Sequence, residues 1–255
     1  MFFRPFLAAL ALALMLPFAS AQAQAPAFSE AQKQEFQALI KDYILKNPEL
    51  IQDALVELDR RQKEGEQQAR SKITQDKSGP LYTAKHNVSY GNPNGDVTIV
   101  EFFDYNCGYC KRAMPDLQRI VAEDKNLRLI TKDFPVLGQP SVEAASVALA
   151  AKQQLSPEKL WGFHQKLMTV RGQIGKAQAL DAAKDAGADM AKLAKDMENP
   201  AIRAAIEENV QIADALGVTG TPTYIVGNDV VVGAVGYAEL KGRVENLRKC
   251  GKSTC

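Results

Sequence analysis

The chain has 255 residues, of which 46% are apolar and 24% charged, an ordinary globular balance that excludes wholesale disorder and fibrous architecture. Lys and Arg number 31 against 30 Asp and Glu, so a net charge near zero offers no general electrostatic case for nucleic acid or an anionic membrane. The four cysteines, Cys107, Cys110, Cys250 and Cys255, are too few for a disulfide-built scaffold and fall in two close pairs.

In chain order, Met1 to about Ala23 reads as a secretory signal peptide. Arg4 supplies a positive start, Phe6 to Phe18 an apolar run, and the small residues after it offer cleavage following Ala21 or Ala23. As a helix the run spans roughly 20 Å, short of a ~30 Å hydrocarbon core, so export is expected, with an uncleaved anchor as the alternative.

Residues 28 to 77 read as a helical arm. Ser29 and Gln32 form a capping box, and Phe36, Leu39, Ile40, Tyr43 and Ile44 follow at helical spacing. Asn47-Pro48 restarts the helix, and Leu50, Ile51, Ala54, Leu55 and Leu58 make a second apolar stripe. From Arg60 to Lys77 the pattern is polar, with Gly65 costing ~1 kcal/mol relative to Ala. Such stripes need a covering surface. Because the polar stretch separates them from the rest of the chain, another copy of the arm is expected, with docking on its own domain as the alternative.

The remainder, about 84 to 255, reads as an α/β domain. Val97 to Tyr105 is apolar on both faces except at Glu101 and Asp104, as in a buried central strand. A helix from about Cys107 to Ala122 and a strand from Leu127 to Phe134 follow. Helices are then expected at 141–153, 157–170, 177–186 and 200–216, then a hairpin from Thr223 to Val235 turning at Gly227-Asn228-Asp229. A helix from Tyr237 to Lys249 closes the chain. The helix-rich stretch, about 138 to 200, reads as an insertion.

The chemistry is expected at Cys107-Gly108-Tyr109-Cys110, a CxxC where a buried strand meets a helix. A helix N-terminus stabilises the Cys107 thiolate through free N–H groups and the dipole. Cys110, one turn on, is close enough for a disulfide. Cys107 is then the attacking thiol and Cys110 the thiol that resolves the mixed disulfide. Zinc would need two further ligands, and Cys250, Cys255, His86 and His164 have no suitable spacing, so neither a metal nor a cofactor is expected. Glu101, six residues before Cys107, is a candidate proton acceptor for Cys110, its pKa raised by burial; an ion pair with Lys132 is the alternative. Pro222, in Gly220-Thr221-Pro222-Thr223-Tyr224, suits either an edge strand or a cis bond, and the sequence leaves that open.

FFDYNCGYC with a later GTPTY and helices between resembles the DsbA branch of the thioredoxin fold, exported thiol–disulfide oxidoreductases with a helical insertion in a thioredoxin core. The resemblance covers roughly residues 88 to 249. It implies Cys107 as nucleophile, Cys110 as resolving thiol, Glu101 as buried acid and a cis Thr221–Pro222 bond, with Gly108, Tyr109, Thr221 and Pro222 as substrate contacts. The run LIKDYILKNPELIQDALVELDRRQ resembles the N-terminal segment of ScsC-like and Com1-like proteins. In ScsC-like relatives this segment assembles the chains, sometimes as trimers, and accompanies disulfide isomerase activity. A periplasmic homo-oligomer is therefore expected, acting on exported cysteine-containing proteins and served by a membrane thiol-redox partner. Two departures stand out. Gly-Tyr replaces the Pro-His of strongly oxidising DsbA enzymes, which predicts a milder oxidant. Cys250 and Cys255 have no assigned counterpart; a small C-terminal disulfide is expected, with free thiols or an intermolecular link as alternatives. The competing functions are a DsbA-like dithiol oxidase recharged at the membrane and a Cu(I)-binding copper-tolerance protein using the two thiolates.

Overall fold

The structure is a computed structural model that describes residues 28–255; the expected signal peptide lies outside these residues. It divides into two compact units after Leu58.

The first unit is helical. The capping box closes as the spacing predicts, with Ser29 and Gln32 bonded reciprocally at the start of α1 (Glu30–Lys46). Asn47 ends that helix, and α2 (Glu49–Gln75) follows. Gly65 does not break α2: ion pairs one turn apart, Lys63–Asp59, Arg60–Glu64 and Arg70–Glu66, brace the helix around it. None of the residues of α1 is buried. The sequence reading carries the arm to Lys77, whereas the division falls after Leu58. Within the second unit Thr74 is fully buried, and its hydroxyl donates to Asn228 Oδ1 at 3.1 Å.

The second unit is a mixed α/β fold of thioredoxin type. After a single helical turn, α3 (Pro80–Thr83), come β1 (Val88–Gly91), β2 (Val97–Phe103), α4 (Gly108–Glu123) and β3 (Leu127–Asp133). Four helices follow, α5 (Gln139–Ala151), α6 (Pro157–Thr169), α7 (Lys176–Asp185) and α8 (Met190–Met197), and then α9 (Pro200–Leu216) returns the chain to the sheet. The hairpin β4 (Thr223–Val226) and β5 (Asp229–Val232) and the helix α10 (Tyr237–Cys250) complete it. The strand order is β1-β3-β2-β4-β5; β2 and β3 are parallel, as a β-α-β crossover through α4 requires, and the other pairs are antiparallel. Strand β1, the turn α3 and the helix α8 are additions to the sequence reading.

Alternation along β2 sorts its side chains between two cores. Ile99 and Phe103 face α4, α10 and the helical insertion, while Val100 and Phe102 face α9 and α3. Glu101 shares the first face, with Thr131 beside it on β3 and Tyr224 beside it on β4. Lys132 is one residue out of that register and so belongs to the opposite face, where its Nζ donates to Asn87 Oδ1 at 2.6 Å, Asn209 Oδ1 at 3.2 Å and the Pro80 carbonyl at 3.2 Å. The alternative of a Glu101–Lys132 ion pair is thereby removed.

Candidate active site

Cys107 is the N-cap residue of α4, in extended backbone, and Cys110 lies in the first turn. Both are free thiols. Strand β2 is buried on both faces and delivers Asp104-Tyr105-Asn106 to this junction, where two polar side chains fix the loop. Asp104 Oδ1 accepts from the Asn106 N–H and from Ser141 Oγ, each at 2.7 Å, and its Oδ2 accepts from the Leu137 N–H at 3.0 Å. Asn106 clasps Ile174, donating to its carbonyl at 2.8 Å and accepting from its N–H at 2.7 Å. Lys111 adds a bond from Nζ to the Val170 carbonyl at 2.8 Å. The helical insertion is thus bolted to the CxxC loop through residues the sequence reading passed over. Their signal was a polar residue directly after a buried strand, where backbone groups need partners.

The two thiols are electrostatically unlike. The Cys107 thiol is held down to about 5, first by a hydrogen bond from the Cys110 thiol, then by the Thr221 side chain and the Cys110 and Tyr109 N–H groups; burial opposes this without prevailing. As a thiol, Cys107 Sγ donates to the Thr221 carbonyl at 3.1 Å, a contact that favours the protonated form and is outweighed. Burial pushes the Cys110 thiol strongly upward, and its bond to Cys107 and the nearby Glu101 push in the same direction. Several donors therefore hold the thiolate without a histidine in the dipeptide. Cys107 is not an exposed residue: only 6% of it is accessible, against 1% for Cys110. Its sulfur sits against Thr221, while Tyr109 stands 59% exposed beside it with the Arg112 guanidinium 4.3 Å above its ring. Outside its own helix, a Cβ at Gly108 would meet no atom within 4 Å.

The Thr221–Pro222 peptide bond is cis, which answers the alternative left open by the sequence. It brings Thr221 to Cys107 and starts β4, whose Tyr224 lies opposite Glu101. Glu101 is 1% exposed, and burial raises its carboxyl to about 8; the Tyr224 hydroxyl partly offsets the rise, and the Cys107 charge adds to it. Neither Glu101 Oε2 nor the Tyr224 hydroxyl reaches a regular hydrogen bond among the described residues. Asp133, at the end of β3 on the same face, is a second buried acid, raised by burial to about 7. Of the candidate zinc ligands, His86 Nε2 lies 3.0 Å from Asn209 Oδ1, and His164 Nδ1 lies 3.3 Å from the Tyr105 hydroxyl. Cys250 and Cys255 form a disulfide that closes the C-terminal tail after α10, where Ser253 is buried and accepts from Arg243 Nη1 at 3.1 Å.

An acidic thiol, a shielded partner thiol one turn away and a buried carboxyl behind them can exchange a dithiol for a disulfide. Comparison with known proteins agrees in kind. Residues 98–245 match the model of the DSBA-like thioredoxin domain, and residues 32–64 match that of the copper resistance protein ScsC N-terminal domain. A thioredoxin-like oxidoreductase from Silicibacter pomeroyi is 41% identical at a TM-score of 0.63, over 67% of this chain and 96% of its own. ScsC of Proteus mirabilis, in a transitional conformation, is 29% identical at a TM-score of 0.63, over 87% of this chain and all of its own. Among curated proteins, a Na(+)/H(+) antiporter NhaA of Salinispora arenicola is 29% identical over 138 residues, 53% of this chain. The chain spans 21% of that protein's length. No helix among the described residues is long and apolar enough to cross a membrane.

Proposed function

The chain belongs to the DSBA-like thioredoxin family of thiol–disulfide oxidoreductases, and on that premise we propose that it is a periplasmic disulfide isomerase and reductase working through Cys107 and Cys110. The Cys107 thiolate attacks one sulfur of a wrongly paired substrate disulfide, forming a mixed disulfide and releasing the other substrate sulfur as a thiolate. That thiolate either attacks a different substrate disulfide, freeing another substrate thiolate that attacks the substrate sulfur of the mixed disulfide and expels the Cys107 thiolate to complete an isomerisation, or waits while Cys110 acts. In the second case Glu101 takes the Cys110 proton, Cys110 attacks Cys107 Sγ, and the substrate leaves reduced. A membrane thiol-redox partner then returns the Cys107–Cys110 disulfide to the dithiol. Gly108, Tyr109, Thr221 and Pro222 form the surface on which an extended substrate segment lies. The Cys250–Cys255 disulfide fits an oxidising compartment.

The observation that carries isomerase over oxidase is the arm. Leu39, Ile40, Tyr43, Ile51, Leu55 and Leu58 are each about half or more exposed, and burying such a side chain is worth ~1.5–3 kcal/mol. Arms pairing between chains, as a trimer or another homo-oligomer, would bury them and gather several dithiols in one assembly. The low value of Cys107 favours a second reading, a dithiol oxidase, because a stabilised thiolate favours the reduced form.

Native mass measurement of the mature protein, joined to reactivation of scrambled ribonuclease, separates these readings. An oligomer that restores ribonuclease activity is expected. A monomer that oxidises reduced ribonuclease and leaves the scrambled form inactive would establish the oxidase instead. Retention of Cu(I) without either activity would favour copper binding.

A further inference from the structure

Tyr224 carries a hydroxyl into the core. It is fully buried in β4, and its oxygen has no regular hydrogen-bond partner among the described residues. Buried polar atoms without partners are costly, so a tyrosine kept there calls for a reason. Directly across the ladder is Glu101, also buried, with Oε2 in the same condition. Residues directly opposite in an antiparallel pair stand on one face with Cβ atoms about 4.5–5.5 Å apart, so the two unmet polar atoms share one small space. Cys110, 1% exposed, is the third member, in electrostatic contact with both.

We propose that Tyr224 is a positioning residue for the resolving step: its hydroxyl donates to the Glu101 carboxylate and holds that carboxylate toward the Cys110 thiol. The inference rests on the thiol-exchange reading and adds to it the group that governs its base. In the step, the Cys110 S–H bond breaks as its proton passes to Glu101. The Cys110 sulfur bonds to Cys107 Sγ, the bond from Cys107 to the substrate breaks, and the substrate sulfur leaves with the electron pair. Tyr224 keeps its own proton throughout. The other titratable groups in electrostatic contact with this pair are acids: Cys107 at the start of α4, Asp116 on that helix, Tyr90 on β1 and Tyr105 after β2, with Asp133 on β3 acting on the two tyrosines. The base on this face, His164 of α6, packs against Phe103, Tyr90 and Tyr105, and burial pushes it down to about 3, so it is neutral across the Glu101 titration. Lys132 faces away. The tyrosine hydroxyl is therefore the group that can favour the charged form of Glu101.

The test mixes reduced full-length protein with a fluorescent disulfide peptide and follows attack and resolution as separate phases across the Glu101 titration at about 8. Resolution needs the carboxylate, so its rate rises with pH. Removing a donor to the charged form raises the pKa, and Tyr224→Phe is expected to move the rising limb up by about one pH unit, slowing resolution roughly tenfold at neutral pH. The attack phase and the melting temperature stay near those of the unaltered protein, and in a Glu101→Gln background Tyr224→Phe adds nothing. Replacing Tyr224 alone with 3-fluorotyrosine, a more acidic phenol, moves the limb down, and this variant decides the matter if Tyr224→Phe does not fold. A limb unmoved by either change, or a Tyr224→Phe effect undiminished without Glu101, overturns the inference. If the unaltered protein shows no attack phase, the thiol-exchange reading falls and the inference with it.

Discussion

Cys107→Ser is expected to abolish exchange with disulfide substrates, while Cys110→Ser keeps the first attack and accumulates mixed disulfides. The asymmetry follows from the two environments. With its thiol held at about 5, Cys107 is almost wholly thiolate at neutral pH, whereas burial keeps Cys110 protonated. A serine at 107 offers no comparable nucleophile, and no other free thiol exists among the described residues except the buried Cys110. A serine at 110 leaves the N–H donors to Cys107 in place but removes the thiol that supplies the largest part of its stabilisation. Attack by the Cys110→Ser protein should therefore continue with a somewhat higher thiol pKa, and resolution should slow by at least about a hundredfold, the lower range for losing a positioned reacting group. Mass spectrometry of the protein after exposure to a disulfide peptide checks both outcomes. Normal turnover by Cys110→Ser would remove Cys110 from the resolving role.

Deleting residues 28–58 is expected to produce a monomer that keeps the dithiol chemistry and loses isomerisation. The cut falls at Leu58 because the turns of α2 beyond it belong with the second unit, where Thr74 is buried against Asn228. With the apolar stripes gone, nothing remains of the surface proposed to join the chains. Isomerisation of one bound substrate needs repeated attack before escape, and separate chains lose the effective concentration that an assembly supplies, so the rate should fall on the order of tenfold or more. Simple dithiol oxidation should survive. Sedimentation and scrambled-ribonuclease reactivation read the two effects. Full isomerase activity in a monomeric deletion variant would detach the activity from the arm.

Much of this site was legible because its signals are local. CxxC at a strand–helix junction places one sulfur at a helix N-terminus and the other one turn in, and both expectations need only the spacing of Cys107 and Cys110. What escaped depends on register and on contacts distant in sequence. Lys132 looked like a partner for Glu101, but Glu101 aligns with Thr131, and a shift of one residue moves a side chain to the other face of the sheet. Tyr224 stands apart from the other strand aromatics only once pairing with β2 sets it against Glu101. Strand β1 has only four residues ending in Gly91, too short a run to stand out from its flanking turns. The clasp made by Asp104 and Asn106 joins elements that only the folded insertion brings together.

The proposed function turns on Cys107 as an acidic nucleophile at the start of α4. For a thiol whose folded value lies below its unfolded one, the stabilisation is fully present above the unfolded value and is lost as pH falls through the folded value. The reduced protein should therefore lose this contribution as pH drops through about 5. Alkylation of the reduced protein, followed by peptide mass analysis across pH, measures that titration at the sulfur itself. Modification is expected at Cys107 ahead of Cys110, with a rate that reaches half its maximum at about 5. A midpoint at the ~8.5 of a free thiol, or equal labelling of the two residues, would contradict it.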